Sequence, residues 1–408
     1  MITFPIAAPE TIALLEKLYP ECFKGSPKLT AIEAMQMLKG HMVQTYKKGT
    51  TNLTLEHLEH CGFKFIYSYT RQNLHFAEQP KLSDMYPRLE STREAYYSSF
   101  HSSGQAAISS LFIGMSQIWT KFHLHILSKT YFETPLALKL LNKGNEKKEG
   151  EPFLFIDSTS LEPEHITNLS ELIKSFKIMI IDTSLWAWND PLLQSMIDIA
   201  AGKIDLFLVR SHLKLDCLGG EYSTLGSIVY LPNDKTEHKD RDEMVEYIQD
   251  ASSSIGACPG LDQIYPFYKE PEFHELTLKR IQEIKNSLNR ITPQLTPLID
   301  ASKISFEVPY HRMFFFMNLT SLNEDIRKQI LKLVRLDSGP VAMIDSYGFD
   351  FPTILVTNVR LKKDEYFIRM NGHILGESRD AEVIETLSRI IQISNKSAIP
   401  YSIKKTGA

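Results

Sequence analysis

Residues 178–220 read IMIIDTSLWAWNDPLLQSMIDIAAGKIDLFLVRSHLKLDCLGG. Two short apolar runs, Ile178–Ile181 and Ile204–Val209, flank a segment of helical periodicity, which is the pattern of buried parallel strands joined in a βαβ unit. Each run ends in charged or polar groups: Asp182 closes the first, and Arg210, Ser211, His212 and Lys214 follow the second. Open α/β sheets bind ligands at the carboxyl ends of their strands, so this acid and this lysine, one βαβ step apart, mark a candidate site. A lysine at the mouth of a buried sheet can lose its proton by desolvation and form a Schiff base. An acid on the neighbouring strand can hold a protonated pyridine nitrogen. The competing interpretation of these two residues alone is a structural acid and a surface lysine at loop starts.

Composition sets the outer limits. A chain of 408 residues, 43% hydrophobic and 23% charged, has ordinary globular composition and length for two or three domains. Lys plus Arg is 45 against 49 Asp plus Glu, a formal net charge of −4, which gives no support for a nucleic-acid partner. No apolar run approaches the roughly 18 residues of a membrane span, and prolines and acids interrupt the amino terminus where a signal peptide would be apolar. No membrane association and a cytoplasmic location are the expectation. The four cysteines, Cys22, Cys61, Cys217 and Cys258, have no CxxC spacing, so neither a disulfide framework nor a metal site is indicated. Cys217 lies close to Lys214 and is either reactive or a buried structural thiol.

Helical periodicity at Glu10–Tyr19 and Ala31–Tyr46, broken by Ser26-Pro27, predicts a helical amino-terminal segment. Phe63–Tyr69 alternates as a strand or extended arm that runs into Tyr69-Thr70-Arg71. Further on, Ser102-Ser103-Gly104-Gln105-Ala106-Ala107-Ile108 leads into a helix. Small residues at such a junction let backbone amides approach an anion, and the helix dipole adds positive potential. Gly144–Gly150 is an exposed connection, Phe153–Asp157 a buried strand ending in an acid, and Asp234–Asp242 a charged, solvated loop containing His238. Glu272–Leu298 predicts the long helix linking two domains. After it, strands at 304–307, 312–319, 341–344, 353–357 and 366–370 and helices at 324–336 and 381–394 make an α+β pattern. The division expected is 1–70, 71–275 and 276–408.

Taken in order, these segments resemble the cysteine and methionine metabolism family of pyridoxal-phosphate (PLP) enzymes, the cystathionine gamma-synthase/lyase-like group of fold type I. Ser211, His212, Leu213, Lys214, Leu215, Leu218, Gly219 and Gly220 are a divergent copy of its S-A-T-K-Y-L-G-G segment. Ser102–Ile108 matches its S-S-G-M-A-A-I at six of seven positions, with Gln105 for methionine. The resemblance covers roughly residues 69–391 and implies an α/β fold: a large domain with a mainly parallel sheet flanked by helices, plus a smaller α+β carboxyl-terminal domain. Implied roles follow by position. Lys214 carries the cofactor and moves protons, Asp182 holds the ring nitrogen, Tyr131 stacks on the ring, and Ser103, Gly104, Gln105 and Ser211 bind the phosphate. Tyr69 and Arg71 match a Tyr-Ser-Arg arm that reaches into a neighbouring subunit's phosphate site, with Tyr86-Pro87-Arg88 as a rival placement. Arg369 clamps a substrate carboxylate through its guanidinium fork, with Ser346 in the adjoining segment.

The activity implied is elimination or replacement at the β or γ carbon of an amino acid, in a homodimer or homotetramer. Three departures bear on it. Leu161 stands for an asparagine, Leu213 for a phosphate-binding threonine, and Phe132-Glu133 for two glycines after the stacking tyrosine. An aminotransferase or other fold-type-I activity would use the same groups, and a non-catalytic PLP-binding relative would tolerate the two leucines. A nucleotide-binding α/β domain unrelated to PLP is a further alternative, although no complete GxGxxG or Walker motif is present.

Overall fold

The computed structural model describes residues 6–25, 28–49, 57–68, 73–90, 93–127, 133–141, 150–159, 161–213, 215–300, 304–319, 322–336, 341–343, 348–358 and 366–395. The chain divides into two compact units. The larger comprises Pro5–Ile281 with Pro309–His311, and the other is built mainly on Gln282–Val308 and Arg312–Ala408.

In the larger unit, β1 (His57–His60), β2 (Phe63–Ser68) and β3 (Asn73–Phe76) form a small antiparallel sheet. The central sheet contains β4 (Tyr97–His101), β5 (Phe122–Ile126), β6 (Glu151–Asp157), β7 (Ile178–Asp182), β8 (Asp205–Ser211) and β9 (Gly226–Leu231) in the order β4-β9-β8-β7-β6-β5. Pairs from β5 through β8 are parallel, whereas β9 runs antiparallel to both β4 and β8. The carboxyl ends of β4, β6, β7 and β8 therefore share one edge.

Both faces of this sheet are covered, which explains the uninterrupted apolar runs. Successive side chains on a strand point to opposite faces. Phe153, Phe155, Ile178, Ile180, Phe207 and Val209 accordingly join one core with the helix Gly104–Ile118, through Ala107, Ile108, Leu111, Phe112 and Met115. Leu154, Ile156, Met179, Ile181, Leu206 and Leu208 join the other, covered by Leu192, Leu193, Met196, Ile197 and Ala200 of the helix Pro191–Ala200 together with Trp186 and Trp188.

The segment read as a charged loop at Asp234–Asp242 instead enters a helix, His238–Ser254. Its alternating charges lie on the solvent side, while Met244, Ile248 and Ala251 are buried. Gly114 permits this helix to lie close, since a Cβ there would stand 2.9 Å from the Ile248 Cα.

The second unit has the sheet order β10-β11-β14-β13-β12, with β10 (Ser305–Glu307), β11 (Phe314–Asn318), β12 (Ala342–Met343), β13 (Thr353–Asn358) and β14 (Tyr366–Asn371). Phe315, Met317, Ile354, Ile368 and Met370 pack against Ile326, Ile330 and Val334 of the helix Glu324–Leu336 and Val383, Leu387 and Ile390 of Glu377–Asn395.

Candidate active site at the carboxyl edge of the central sheet

Strand parity decides which groups meet at the shared edge. Asp157, Asp182 and Ser211 have the same parity as Phe155, Ile180 and Val209, so they lie on the face covered by the helix Gly104–Ile118. Asp157 is the register partner of Asp182, and Asp182 of Val209. Two carboxylates thus stand side by side on neighbouring strands, both buried. Each is fixed by its own turn: Asp157 Oδ1 accepts the Thr159 N–H at 2.7 Å and Asp182 Oδ1 the Ser184 N–H at 2.9 Å. Cross-links then lock the turns together, with the Leu185 N–H donating to Ser158 Oγ at 3.0 Å and the Ser211 N–H to Ser184 Oγ at 2.8 Å.

The helix Gly104–Ile118 starts against this edge. Ser103 is its N-cap and accepts the Ala106 N–H on Oγ at 2.9 Å, leaving the amides of Gly104 and Gln105 in the first turn ahead of any intrahelical acceptor. Glycine is required at 104, because a Cβ there would lie 2.6 Å from the Ser211 Cβ. A Cβ on Gly226 would likewise meet the Ser103 carbonyl oxygen at 2.3 Å. Ser103, Gly104 and Ser211 are therefore in one place, beside the strand end that carries Asp182. The edge offers first-turn N–H groups and helix-dipole potential suited to a phosphate, and a carboxylate pair suited to a protonated ring nitrogen. This donor set fits PLP.

Lys214, Tyr131, Tyr69, Arg71 and Ser346 lie outside the described residues. Leu213 is half-buried, and Leu161 is fully buried within the main hydrophobic core, so it packs rather than presenting a polar group. In the rival Tyr86-Pro87-Arg88, the Tyr86 hydroxyl is buried 3.0 Å from Thr183 Oγ1, while Arg88 pairs with Glu275 at 3.0 Å on the surface. Arg369, in the second unit, alternates with the core residues Ile368 and Met370 and so faces the other side of its sheet, its Cζ 5.6 Å from the Phe314 ring centroid. Burial pushes the Cys217 thiol up to about 12, and its Sγ donates to the Leu213 carbonyl at 2.9 Å, which makes it an inert packing group. A cavity of about 340 Å³ between β3, β4 and the helix His238–Ser254 is lined by Gln79, Ser98, His101, Ser252 and Cys258, and includes neither Asp182 nor Gly104.

The sequence reading missed the group that secures the lysine loop. Arg210 is on the opposite face of β8 and fully buried. Its Nε and Nη2 donate to Asp216 Oδ2 and Oδ1, each at 2.7 Å, and its Nη1 donates to the carbonyls of Thr183 at 2.6 Å and Trp186 at 2.9 Å. One guanidinium thus ties the turn after Asp182 to the loop 211–220 that contains Lys214. The Trp188 ring centroid is 5.6 Å from its Cζ. His212 completes the cluster, Nδ1 2.8 Å from Asp216 Oδ2 and Nε2 2.9 Å from Ser227 Oγ. Burial works against the Asp216 charge, but Arg210 and the His212 contact outweigh it and hold the carboxyl below its usual range. A charged pair six residues apart astride the lysine was the available signal. Nothing in spacing alone tells a buried fork from two solvated side chains.

No protein-family profile and no curated protein matches the chain. Among solved structures, an amino transferase from Eubacterium rectale is similar at TM-score 0.51 and 12% identity, over 86% of this chain and 86% of that one. Serine palmitoyltransferase from S. paucimobilis, with a bound PLP–myriocin aldimine, is similar at TM-score 0.51 and 10% identity, over 88% of this chain and 96% of that one. A methionine gamma lyase from Micromonospora echinospora gives 0.49 at 14% identity, over 73% and 81%. The two likenesses at TM-score 0.51 define the architecture: the chain has the α/β fold of fold-type-I PLP enzymes.

Proposed function

We propose that the protein is a PLP-dependent enzyme acting on an amino acid, by elimination or replacement at the β or γ carbon. The observation that carries this reading is the in-register pair Asp157–Asp182 on the same face as the Ser103-Gly104 helix start and Ser211. Two adjacent buried carboxylates suit a cationic group, and the N–H groups of a helix start suit an anion. A protonated pyridine ring with a phosphate arm supplies both at one edge.

When bound, PLP serves as the electron sink for a carbanion on the substrate. Asp182 keeps the ring nitrogen protonated, with Asp157 beside it. Gly104 and Gln105 amides and the Ser103 and Ser211 hydroxyls hold the phosphate. Lys214 anchors the cofactor through Nζ and afterwards carries protons at the substrate carbons. Tyr131 covers the ring, and Arg369 with Ser346 orients the substrate carboxylate in the reading taken from family resemblance. Tyr69 and Arg71 act on a neighbouring subunit's phosphate in a homodimer or homotetramer.

The test is an absorbance spectrum of the purified protein before and after amino-acid addition, followed by borohydride reduction and peptide mapping. A yellow protein labelled at Lys214 is expected, and a label elsewhere or none overturns the reading. Product analysis separates the chemistries. Ammonia with a keto acid marks elimination, and a new keto acid with pyridoxamine phosphate marks transamination instead. A protein that holds PLP but turns over no amino acid would be the catalytically altered relative that Leu161 and Leu213 would suit.

A further inference from the structure

Away from the sheet edge, the amino-terminal helices bring together three side chains of metal-binding type. Glu21 and Cys22 lie on the short helix Pro20–Phe23, and His41 lies on Ala31–Gly49. Their ligand atoms all fall within 4.8 Å of one another, and among the described residues this is the one such group of three. His41 Nε2 is 3.3 Å from Glu21 Oε1. That separation is long for a hydrogen bond between charged groups but matches a coordination edge: nitrogen and oxygen ligands at about 2.0–2.2 Å, set at the tetrahedral angle, stand roughly 3.3–3.5 Å apart.

The backbone that holds the three groups is anchored. Phe23, next to Cys22, is 1% exposed, and Leu38 and Met42, flanking His41, are buried with it in the main core alongside Leu14, Leu15 and Met35. Pro20 fixes the start of the short helix, and the Cys22 and Phe23 amides both donate to the Tyr19 carbonyl. Ligands on rigid elements need only side-chain rotation to close on an ion, which keeps the entropic cost of assembly low. A thiolate, an imidazole and a carboxylate together are the donor set of zinc and its first-row neighbours rather than of calcium or magnesium, which take oxygen.

We propose that Glu21, Cys22 and His41 form a three-ligand site for a divalent zinc-class cation, with water in the fourth position, that pins the helix Pro20–Phe23 to Ala31–Gly49. Binding replaces the proton on the Cys22 sulfur by the metal–sulfur bond and releases that proton to solvent. Nothing in the spacing signals it, because two adjacent ligands and a third nineteen positions on match no familiar pattern.

Cobalt(II) is the probe. The full-length protein, stripped with chelator and dialysed, is titrated with Co2+ and read as a difference spectrum against the same sample before addition. Expected are a thiolate-to-cobalt charge-transfer band in the near ultraviolet and the intense visible bands of a four-coordinate ion, saturating at one equivalent. Zn2+ should bleach both, since it competes for the same ligands more tightly than cobalt. Cys22→Ser should abolish the charge-transfer band. His41→Gln should weaken binding by no less than the roughly 10- to 100-fold cost known for groups that merely orient metal ligands. Both positions are partly exposed, so the variants should keep the unfolding midpoint of the metal-free protein. A titration without a thiolate band overturns the site, as does an unchanged band in Cys22→Ser, which would assign it to another cysteine.

Discussion

Replacing Arg210 by methionine tests whether the lysine loop is held as described. The side chain is fully buried, and its four hydrogen bonds reach one carboxylate and two backbone carbonyls. Methionine fills most of the volume but leaves Asp216 as a buried charge without its partner, which costs about 3–5 kcal/mol. Against a typical total of about 5–15 kcal/mol, that is roughly a fifth or more of the stability of a domain. Removing the acid as well should recover much of it: in Arg210→Met/Asp216→Leu the uncompensated charge is gone, so the double variant should be less destabilised than the sum of the singles by about 2 kcal/mol or more. The assay is urea unfolding followed by tryptophan fluorescence, with Trp186 and Trp188 both in the affected turn. A loss below about 1 kcal/mol for Arg210→Met, or strict additivity in the cycle, would refute the clamp. A second readout concerns function. Loosening loop 211–220 should weaken cofactor retention and shift the cofactor absorbance, whereas a clamp important only for stability would leave the spectrum of the folded fraction unchanged.

Gly104→Ala puts a methyl 2.6 Å from the Ser211 Cβ, so the helix start must retreat; the expected outcome is a stability loss of about 1–3 kcal/mol and weaker cofactor binding in an equilibrium dialysis assay. Asp182→Asn keeps the shape and removes the charge, and turnover should fall by about 10²-fold or more in steady-state kinetics, with unchanged turnover assigning the role to Asp157. Burial pushes His101 down to about 3 and His274 down to about 4, so both are neutral in the native state while the unfolded chain protonates them near 6.5. Stability of the larger unit should therefore fall as pH drops below about 6.5, with a slope approaching about 1.4 kcal/mol per pH unit for each histidine, and urea midpoints measured from pH 7 to pH 4.5 check the sign. For the shared-site reading, mixing inactive Lys214→Ala and Arg71→Ala under subunit exchange should restore activity, because one composite site of the mixed dimer then carries neither defect; no recovery, or an active monomer by sedimentation, removes it.

What could be read from the sequence follows from where the physics is local. The strands at Ile178–Asp182 and, from Phe153 on, at Glu151–Asp157 were legible because a strand segment buried on both faces must be apolar throughout, and a charge can appear only where the strand emerges. That rule locates Asp157 and Asp182 at the edge, and the small-residue junction at Ser103-Gly104 identifies a helix start that can approach it. The helix His238–Ser254 was hidden for the converse reason. Its first turns are charged on almost every residue, and only Met244, Ile248 and Ala251 reveal the buried face. Arg210 was hidden more deeply. In the sequence it is one more polar residue after a strand, of the same kind as Ser211, yet strand parity sends the two to opposite faces: Ser211 beside the helix start, Arg210 beneath the loop with Trp186 and Trp188. A residue-by-residue reading finds the groups that could touch a ligand, since each is a chemical type at a strand end. The groups that hold those in place are found only once β7, β8 and their turns are set side by side, because Asp216, Thr183 and Trp186 converge on one guanidinium from two connections of the fold. The lysine loop therefore owes its position to a contact between turns, and a substitution at Arg210 should disturb the site without touching any group assigned to the chemistry.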